Sequence, residues 1–101
     1  MYVILTTDEF EKRYKKLDSQ LQKEITKEID QLEENPYFGK QLGYPFFREK
    51  KVKNYRIYYL VYDEQVVVFL ISISTKKNQQ ETIDKIKVLI PHYREEIKKK
   101  L

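Results

Sequence analysis

One arginine lies inside the most apolar stretch of the chain. Arg56 is the second residue of the segment 55–73, which reads YRIYYLVYDEQVVVFLISI. A buried guanidinium without a partner is costly, so Arg56 is either ion-paired within the protein or faces a wet surface. In the second case its planar fork of donors suits a phosphate group.

The charge around Arg56 favours an anionic ligand. Residues 40–77 carry eight Lys or Arg against three Asp or Glu, a balance of +5, whereas residues 1–39 have a balance of −3 and residues 78–101 one of +2. A basic region that also holds many Tyr is a plausible surface for phosphates and bases. The alternative is a charged face that is merely solvated.

Length and composition exclude several classes of protein. A chain of 101 residues is expected to form one domain with one modest core. It has no Cys, and His92 is its single His, so we expect no disulfide, no metal and no cofactor. No apolar run is long enough for a membrane span, and no signal pattern opens the chain, which predicts a soluble cytoplasmic protein without a membrane partner.

The segment 55–73 predicts the centre of a sheet. Residues 55–62 alternate with the two-residue period of a strand. Residues 66–73 are apolar on both faces, which is typical of a central strand, and the break at 63–65 indicates a hairpin turn. Residues 46–52 predict a further strand whose outer face is wet, followed by a turn at Lys53-Asn54.

The flanking segments predict a first strand and three helices. Tyr2–Leu5 is a short apolar run, and Thr6 with Glu9 has the spacing of a capping box that opens a helix. Ser19 with Gln22 predicts the start of a second helix, which ends at Asn35-Pro36 because the residue before proline avoids helical geometry. Residues 36–45 are expected to be a loop. Residues 79–101 predict a last helix, which Pro91 should kink or split in two.

These elements predict an α+β fold with the order β-α-α-β-β-β-α. A helical hairpin packs on one face of a small antiparallel sheet, and the basic side chains and the last helix lie on the other face. We expect residues 1–101 to form a single domain.

Three features, in this order along the chain, resemble the RelE/ParE superfamily of toxins from type II toxin–antitoxin systems. The first is the helical hairpin ending at Leu32…Pro36, followed by Lys40-Gln41-Leu42. The second is the basic strand leading into Tyr55-Arg56-Ile57…Tyr59, similar to the family's YRI-x-Y pattern. The third is the run 63–73, which is closest to the RelE branch. The resemblance covers about residues 2–77.

The resemblance implies a fold like that of RelE, and it also implies that the protein cleaves RNA. RelE-like toxins enter the ribosomal A site and cut messenger RNA with the 2′-hydroxyl as nucleophile, which stops translation. Such an endonuclease needs a proton acceptor, cations near the phosphate and a donor for the leaving oxygen. The residues that the resemblance implies for catalysis are Arg56, Lys76, Lys51 and Lys50, and those expected to bind RNA are Arg48, Lys53, Lys77 and Lys40.

The chain departs from the family pattern at two places. Lys76 stands where an arginine usually follows the last strand, and a lysine lacks the fork that binds phosphate through two bonds. The family's late tyrosine has no match, because the equivalent position falls near Thr82. Tyr93 and His92 lie in the last helix, where Tyr93 is expected to belong to the apolar stripe with Ile90 and Ile97.

The resemblance leaves other functions open. A ParE-like toxin that inhibits DNA gyrase by binding shares the fold, and so does a degenerate member that only binds an antitoxin. All three imply an antitoxin partner in a hetero-oligomer, with contact to DNA only through that partner. Since residues 79–101 are amphipathic, we expect this helix to be able to move when the antitoxin binds.

Overall fold

The computed structural model describes all 101 residues. Five strands and three helices follow one another along the chain. They are β1 (Val3–Thr6), α1 (Asp8–Lys15), α2 (Ser19–Glu34), β2 (Lys40–Gln41), β3 (Phe47–Val52), β4 (Tyr55–Tyr62), β5 (Val67–Thr75) and α3 (Gln79–Lys100).

The five strands form one sheet in the order β1-β5-β4-β3-β2. β5 lies between β1 and β4 and is buried on both faces, as its apolar pattern predicted. β1 runs parallel to β5, and the other neighbours are antiparallel. The α+β fold is therefore confirmed. The prediction of a pure loop at 36–45 was wrong, because Lys40 and Gln41 pair with β3 as a short edge strand.

Each face of the sheet is covered by helices. α1 and α2 cover one face, and α3 covers the other, so the chain has two apolar clusters on either side of β4 and β5. The hairpin-side cluster includes Phe10, Leu21, Ile25, Leu32, Ile57, Tyr59, Val68, Leu70 and Ile73. The α3-side cluster includes Phe47, Tyr58, Leu60, Phe69, Ile71, Ile83, Ile86, Tyr93 and Ile97.

A β-bulge in the β4–β5 pair changes which side chains of β5 face α3. Tyr58 pairs with Ser72 but Tyr59 pairs with Leu70, so Ile71 is left without a partner. Beyond the bulge the alternation is reversed: Ile71 packs in the α3-side cluster, whereas Ile73 packs in the hairpin-side cluster. Since cross-strand partners share a face, small hydroxyl side chains instead of bulky apolar ones lie beside the start of β4.

The residues that cap the first two helices each lie one position away from the predicted residue. The side chain of Thr7, not of Thr6, accepts the backbone N–H of Phe10, because Thr6 still pairs within the sheet. In the same way Asp18, not Ser19, caps α2 by accepting the N–H of Leu21 at 2.9 Å. Each cap has the extended backbone that this position requires.

Pro91 does not split the last helix. α3 runs unbroken from Gln79 to Lys100 and keeps Pro91 inside it. Pro91 and Lys87, whose carbonyl loses its usual N–H partner, are both on the solvent side, where water can satisfy that carbonyl. No helix of the chain combines the length and the apolar character needed to cross a membrane.

The two adjacent threonines provide a matched test of the first cap. We expect Thr7→Val to lower the free energy of unfolding by about 1–3 kcal/mol, because it removes the cap and the 2.7 Å hydrogen bond from the Thr7 hydroxyl to the buried carbonyl of Ile71. Thr6→Val removes only an exposed bond to Glu11 and should cost less than about 0.5 kcal/mol. Urea unfolding of both variants measures the difference, and equal losses would contradict the assignment.

Candidate functional site

A cluster of cations lies at the end of the sheet where β4 begins and β5 ends. Arg56 of β4 has Lys51 of β3 and Ser74 of β5 as its cross-strand neighbours. Together with the turn before β4 and the short 3-10 turn after β5, these strands form a cleft of about 380 Å³. The side chains that line it include five cations and no acid: Lys51, Lys53, Asn54, Arg56, Thr75, Lys76 and Lys77. We call this the Arg56 cleft.

Arg56 is both ion-paired and in contact with the cleft. Its Nε lies 3.6 Å from Oε2 of Glu49, and its side chain is only 10% exposed. Its Nη1 is buried and has no hydrogen-bond partner in the structure. An unsatisfied donor on a charged group is costly, so an acceptor that reached it would stabilise the site.

The carboxylate of Glu49 is a member of this site that the sequence analysis missed. Glu49 is 5% exposed, and the amide of Gln79, the first residue of α3, donates to both of its oxygens at 2.8 and 2.9 Å. The signal for it was the two-residue period of β3, which puts Phe47, Glu49 and Lys51 on one face. This face is the one that Arg56 shares.

Two hydroxyl groups lie on the same face of the sheet as Arg56. The phenol of Tyr58 and the hydroxyl of Ser74 are 2.8 Å apart and are buried. Burial raises the pKa of Tyr58, although the bond to Ser74 opposes this shift. The phenol therefore stays protonated at neutral pH and contributes a dipole rather than a charge beside Arg56.

The structure brings five predicted site residues together in the Arg56 cleft. Among them Lys51, Lys76 and Lys77 are exposed and form no ion pair. Lys53 has its amine 3.3 Å from Glu24 of α2, so part of its charge is already offset.

The other three predicted residues lie elsewhere. Lys50 is on the opposite face of β3, where its amine is 3.7 Å from Glu28 and lies over the ring of Phe38. Arg48 shares that face and donates to backbone carbonyls of the loop before it, at 2.8 to 3.1 Å. Lys40 is exposed on the edge strand β2, opposite Glu49.

No tyrosine of the last helix reaches the cleft. Tyr93 packs edge-on against Phe69, which confirms that it belongs to the apolar stripe. Phe69 is five residues before Ser74 on β5, a distance of roughly 17 Å along a strand. Thr82 bonds its own helix through the carbonyl of Asn78, and His92 is exposed beside Glu96.

The arrangement combines one buried carboxylate with a set of cations. It can bind a phosphate through Arg56 and the free lysines, and it holds a carboxylate next to the bound group. These are the parts required for electrostatic stabilisation and for proton transfer at a phosphodiester.

Comparison with known proteins finds one family of toxins. Residues 4–80 match the family model for the ParE toxin of the type II toxin–antitoxin system parDE. No curated protein sequence matches the chain.

Solved structures of RelE toxins share the fold. The E. coli RelE chain in the intact RelBE toxin–antitoxin complex is 30% identical, with 74% of this chain and 96% of that chain covered and a TM-score of 0.69. Isolated E. coli RelE is 28% identical over 85% of this chain and 99% of that one, also with a TM-score of 0.69. RelE of the Pyrococcus horikoshii RelE–RelB complex, at 17% identity and a TM-score of 0.65, covers 74% of this chain and 94% of its own and shares the fold alone.

The ion pair between Arg56 and Glu49 has a measurable energetic signature. We expect Arg56→Met to lower the free energy of unfolding by about 3 kcal/mol, because Glu49 is then buried without a countercharge. The double variant Arg56→Met/Glu49→Gln should recover at least about 1 kcal/mol of this loss. Urea unfolding of the two single variants, the double variant and the wild type completes the cycle. Strictly additive losses would mean that the two side chains do not interact.

Proposed function

Since the chain belongs to the RelE/ParE superfamily of toxins from type II toxin–antitoxin systems, we propose that it cuts messenger RNA in the A site of the ribosome. It would thereby stop translation in the cytoplasm. The proposal rests on the environment of Arg56. Its buried Nη1 has no hydrogen-bond partner, and its side chain lines a cleft together with four lysines. A phosphate of an RNA strand in the cleft would offer an acceptor to this donor once the guanidinium turns toward it.

The proposed reaction needs no group from outside the chain and the RNA. The 2′-hydroxyl gives its proton to an acceptor, and the O2′ attacks the adjacent phosphorus. The bond from phosphorus to the 5′-oxygen breaks, and this oxygen takes up a proton as it leaves. The products are a 2′,3′-cyclic phosphate and a 5′-hydroxyl end.

The residues of the cleft divide these tasks. Arg56 holds the phosphate and stabilises the charge that builds up on its oxygens. Lys51 of β3 is a cross-strand neighbour of Arg56, and Lys76 follows the end of β5, whose Ser74 is the other neighbour. Both lysines line the Arg56 cleft, so they can neutralise the same charge and give a proton to the leaving oxygen.

Glu49 is the best candidate for the proton acceptor. It is the carboxylate that contacts Arg56, so it lies beside the place where Arg56 would hold the phosphate and its 2′-hydroxyl. The amide of Gln79 donates to both of its oxygens, and each oxygen keeps a further lone pair with which to accept a proton. Lys50, which lies on the other face, is left out of the proposed catalytic set.

We propose an antitoxin as the protein partner, in a hetero-oligomer. The partner would cover the Arg56 cleft and move α3, whose first residue contacts Glu49. Hydrogen exchange tests this step: amides of α3 should exchange faster in the complex with the antitoxin encoded beside the gene than in the free protein. Equal or slower exchange would mean that α3 stays in place.

A second function follows from the family match. ParE-type toxins inhibit DNA gyrase by binding it, and the matched family model is that of ParE. The missing late tyrosine and the ion pair that engages Arg56 also suit a protein that binds without cutting. The cation cluster would then meet an acidic surface of a protein rather than RNA.

Expression in growing cells distinguishes these functions. We expect the wild type to arrest growth and to produce new 5′ ends inside codons of ribosome-bound messages. Arg56→Ala should lower cleavage by about 100-fold or more, because it removes a donor to the transition-state charge. Lys23→Ala, an exposed lysine of α2 without an ion pair, is the matched control and should cut like the wild type.

The same experiment must show whether the Arg56 variant is folded and whether messenger RNA is the target. Circular dichroism of purified Arg56→Ala checks that the variant is folded, and Arg56→Lys keeps the positive charge if it is not. Growth arrest without new 5′ ends, unchanged in a folded Arg56 variant, would replace the nuclease with a bound target such as gyrase. No arrest by the wild type would leave a module that only binds its antitoxin.

A further inference from the structure

A second basic cleft lies next to the first, on the other side of the end of β5. It measures about 550 Å³ and is formed by α1 and by the last residues of β5 and the first of β4. α1 and the residue that caps its end contribute three cations to its lining: Lys12, Arg13 and Lys16. We call it the α1 cleft. None of the residues predicted from the sequence to bind RNA lies in it.

Two of these cations are free to bind a ligand. Glu9, the one acid of the lining, has its carboxylate 3.6 Å from Arg13 and 3.4 Å from Lys85 of α3. Lys12 and Lys16 are exposed and form no ion pair. They are four residues apart and so lie on the same side of the helix, about 6 Å apart along its axis, which lets each neutralise a separate phosphate.

The polar side chains of the α1 cleft are also unused. Thr75 and Asn78 precede the 3-10 turn and α3, at positions where such side chains usually accept the first free N–H groups. Neither makes that bond, so a hydroxyl and an amide are available to a ligand. The half-buried ring of Tyr55 lines the same cleft and offers a face on which a base can stack.

The two clefts meet at Thr75, which lines both of them. A strand held at Arg56 can therefore pass round the end of β5 into the α1 cleft. We propose that the α1 cleft binds the single-stranded RNA that flanks the cut phosphate, with Lys12 and Lys16 on its backbone and Tyr55 against a base. This inference rests on the proposed function.

An acidic segment of a protein is the rival occupant. A carboxylate would satisfy Lys12 and Lys16, but it would not use the ring of Tyr55. It would also not account for the position of the α1 cleft beside the Arg56 cleft, with which it shares Thr75. The aromatic face beside two free cations is the combination by which proteins hold single strands without reading their sequence.

Salt dependence of binding measures the contacts directly. The probe is a fluorescent oligoribonucleotide of about twelve residues, 2′-O-methylated so that it cannot be cut. Each backbone phosphate neutralised on a single strand adds about 0.7 to the slope of log affinity against log salt. We therefore expect Lys12→Gln/Lys16→Gln to lower this slope by about 1.4 relative to the wild type, between about 50 and 200 mM salt.

The second helix supplies a matched control. Lys23 and Lys27 are also exposed, four residues apart and without an ion pair, but they lie on α2 away from both clefts. Lys23→Gln/Lys27→Gln removes the same net charge and should keep the wild-type slope. Equal slopes for both double variants would overturn the proposal, and so would the absence of RNA binding by the wild type.

Further measurements separate this inference from the proposed function. Cleavage in cells with equal slopes would leave the nuclease intact and refute the α1 cleft. A reduced slope for Lys12→Gln/Lys16→Gln with no cleavage would support RNA binding in the cleft and refute the nuclease. Finally, if polyglutamate binding but not RNA binding is lost in that variant, the occupant is an acidic protein segment and the proposal is wrong.

Discussion

The burial of β5 on both faces is the constraint on which the rest of the structure depends. From Val67 to Ser74 every residue of this strand is buried, so it needs helices above and below and a strand on each side. A strand of this kind leaves polar and charged groups only at its two ends. At one end the turn 63–66 connects β4 to β5. At the other end Thr75, Lys76 and Lys77 emerge, and the turn between β3 and β4 adds Lys53. The cation cluster is therefore a consequence of where the central strand stops.

The placement of Arg56 depends on the bulge two residues further along β4. Without the bulge, the regular alternation of β5 would have put Ile73 on the side of α3, beside the guanidinium. With it, Ser72 and Ser74 lie there, and Ser74 bonds Tyr58. A buried ion pair contributes little net stability compared with an apolar replacement of the same volume. The pair between Arg56 and Glu49 is thus better explained by what it does for the site than by what it adds to the fold.

The sequence allowed the prediction of most of the fold and of part of the site. Apolar periodicity predicted the central hairpin, the helical hairpin and α3, because these patterns follow directly from burial. Apolar periodicity could not predict the bulge or the edge strand β2, since both depend on pairing between different strands. Arg56, Lys51 and Lys76 were predicted on resemblance and do lie together. The resemblance implies both Lys50 and Lys51, because it locates the basic strand only to within one or two positions. The pairing of β3 with β4 distinguishes them, since it puts Lys51 beside Arg56 and Lys50 on the other face, and it also reveals Glu49.

The charges of the Arg56 cleft bear on which ligand suits it. Its five cations are opposed by two carboxylates, those of Glu49 and Glu24, so the cluster keeps a net positive charge of three. Like charges this close repel one another, and three of the lysines involved have no countercharge within the protein. A phosphodiester relieves this repulsion, and it does so more strongly as negative charge builds up during attack by the 2′-hydroxyl. Because the stabilisation grows along the reaction, it favours the transition state over the bound strand, as catalysis requires. A carboxylate surface on a protein would relieve the repulsion equally at every stage, which is sufficient for binding alone.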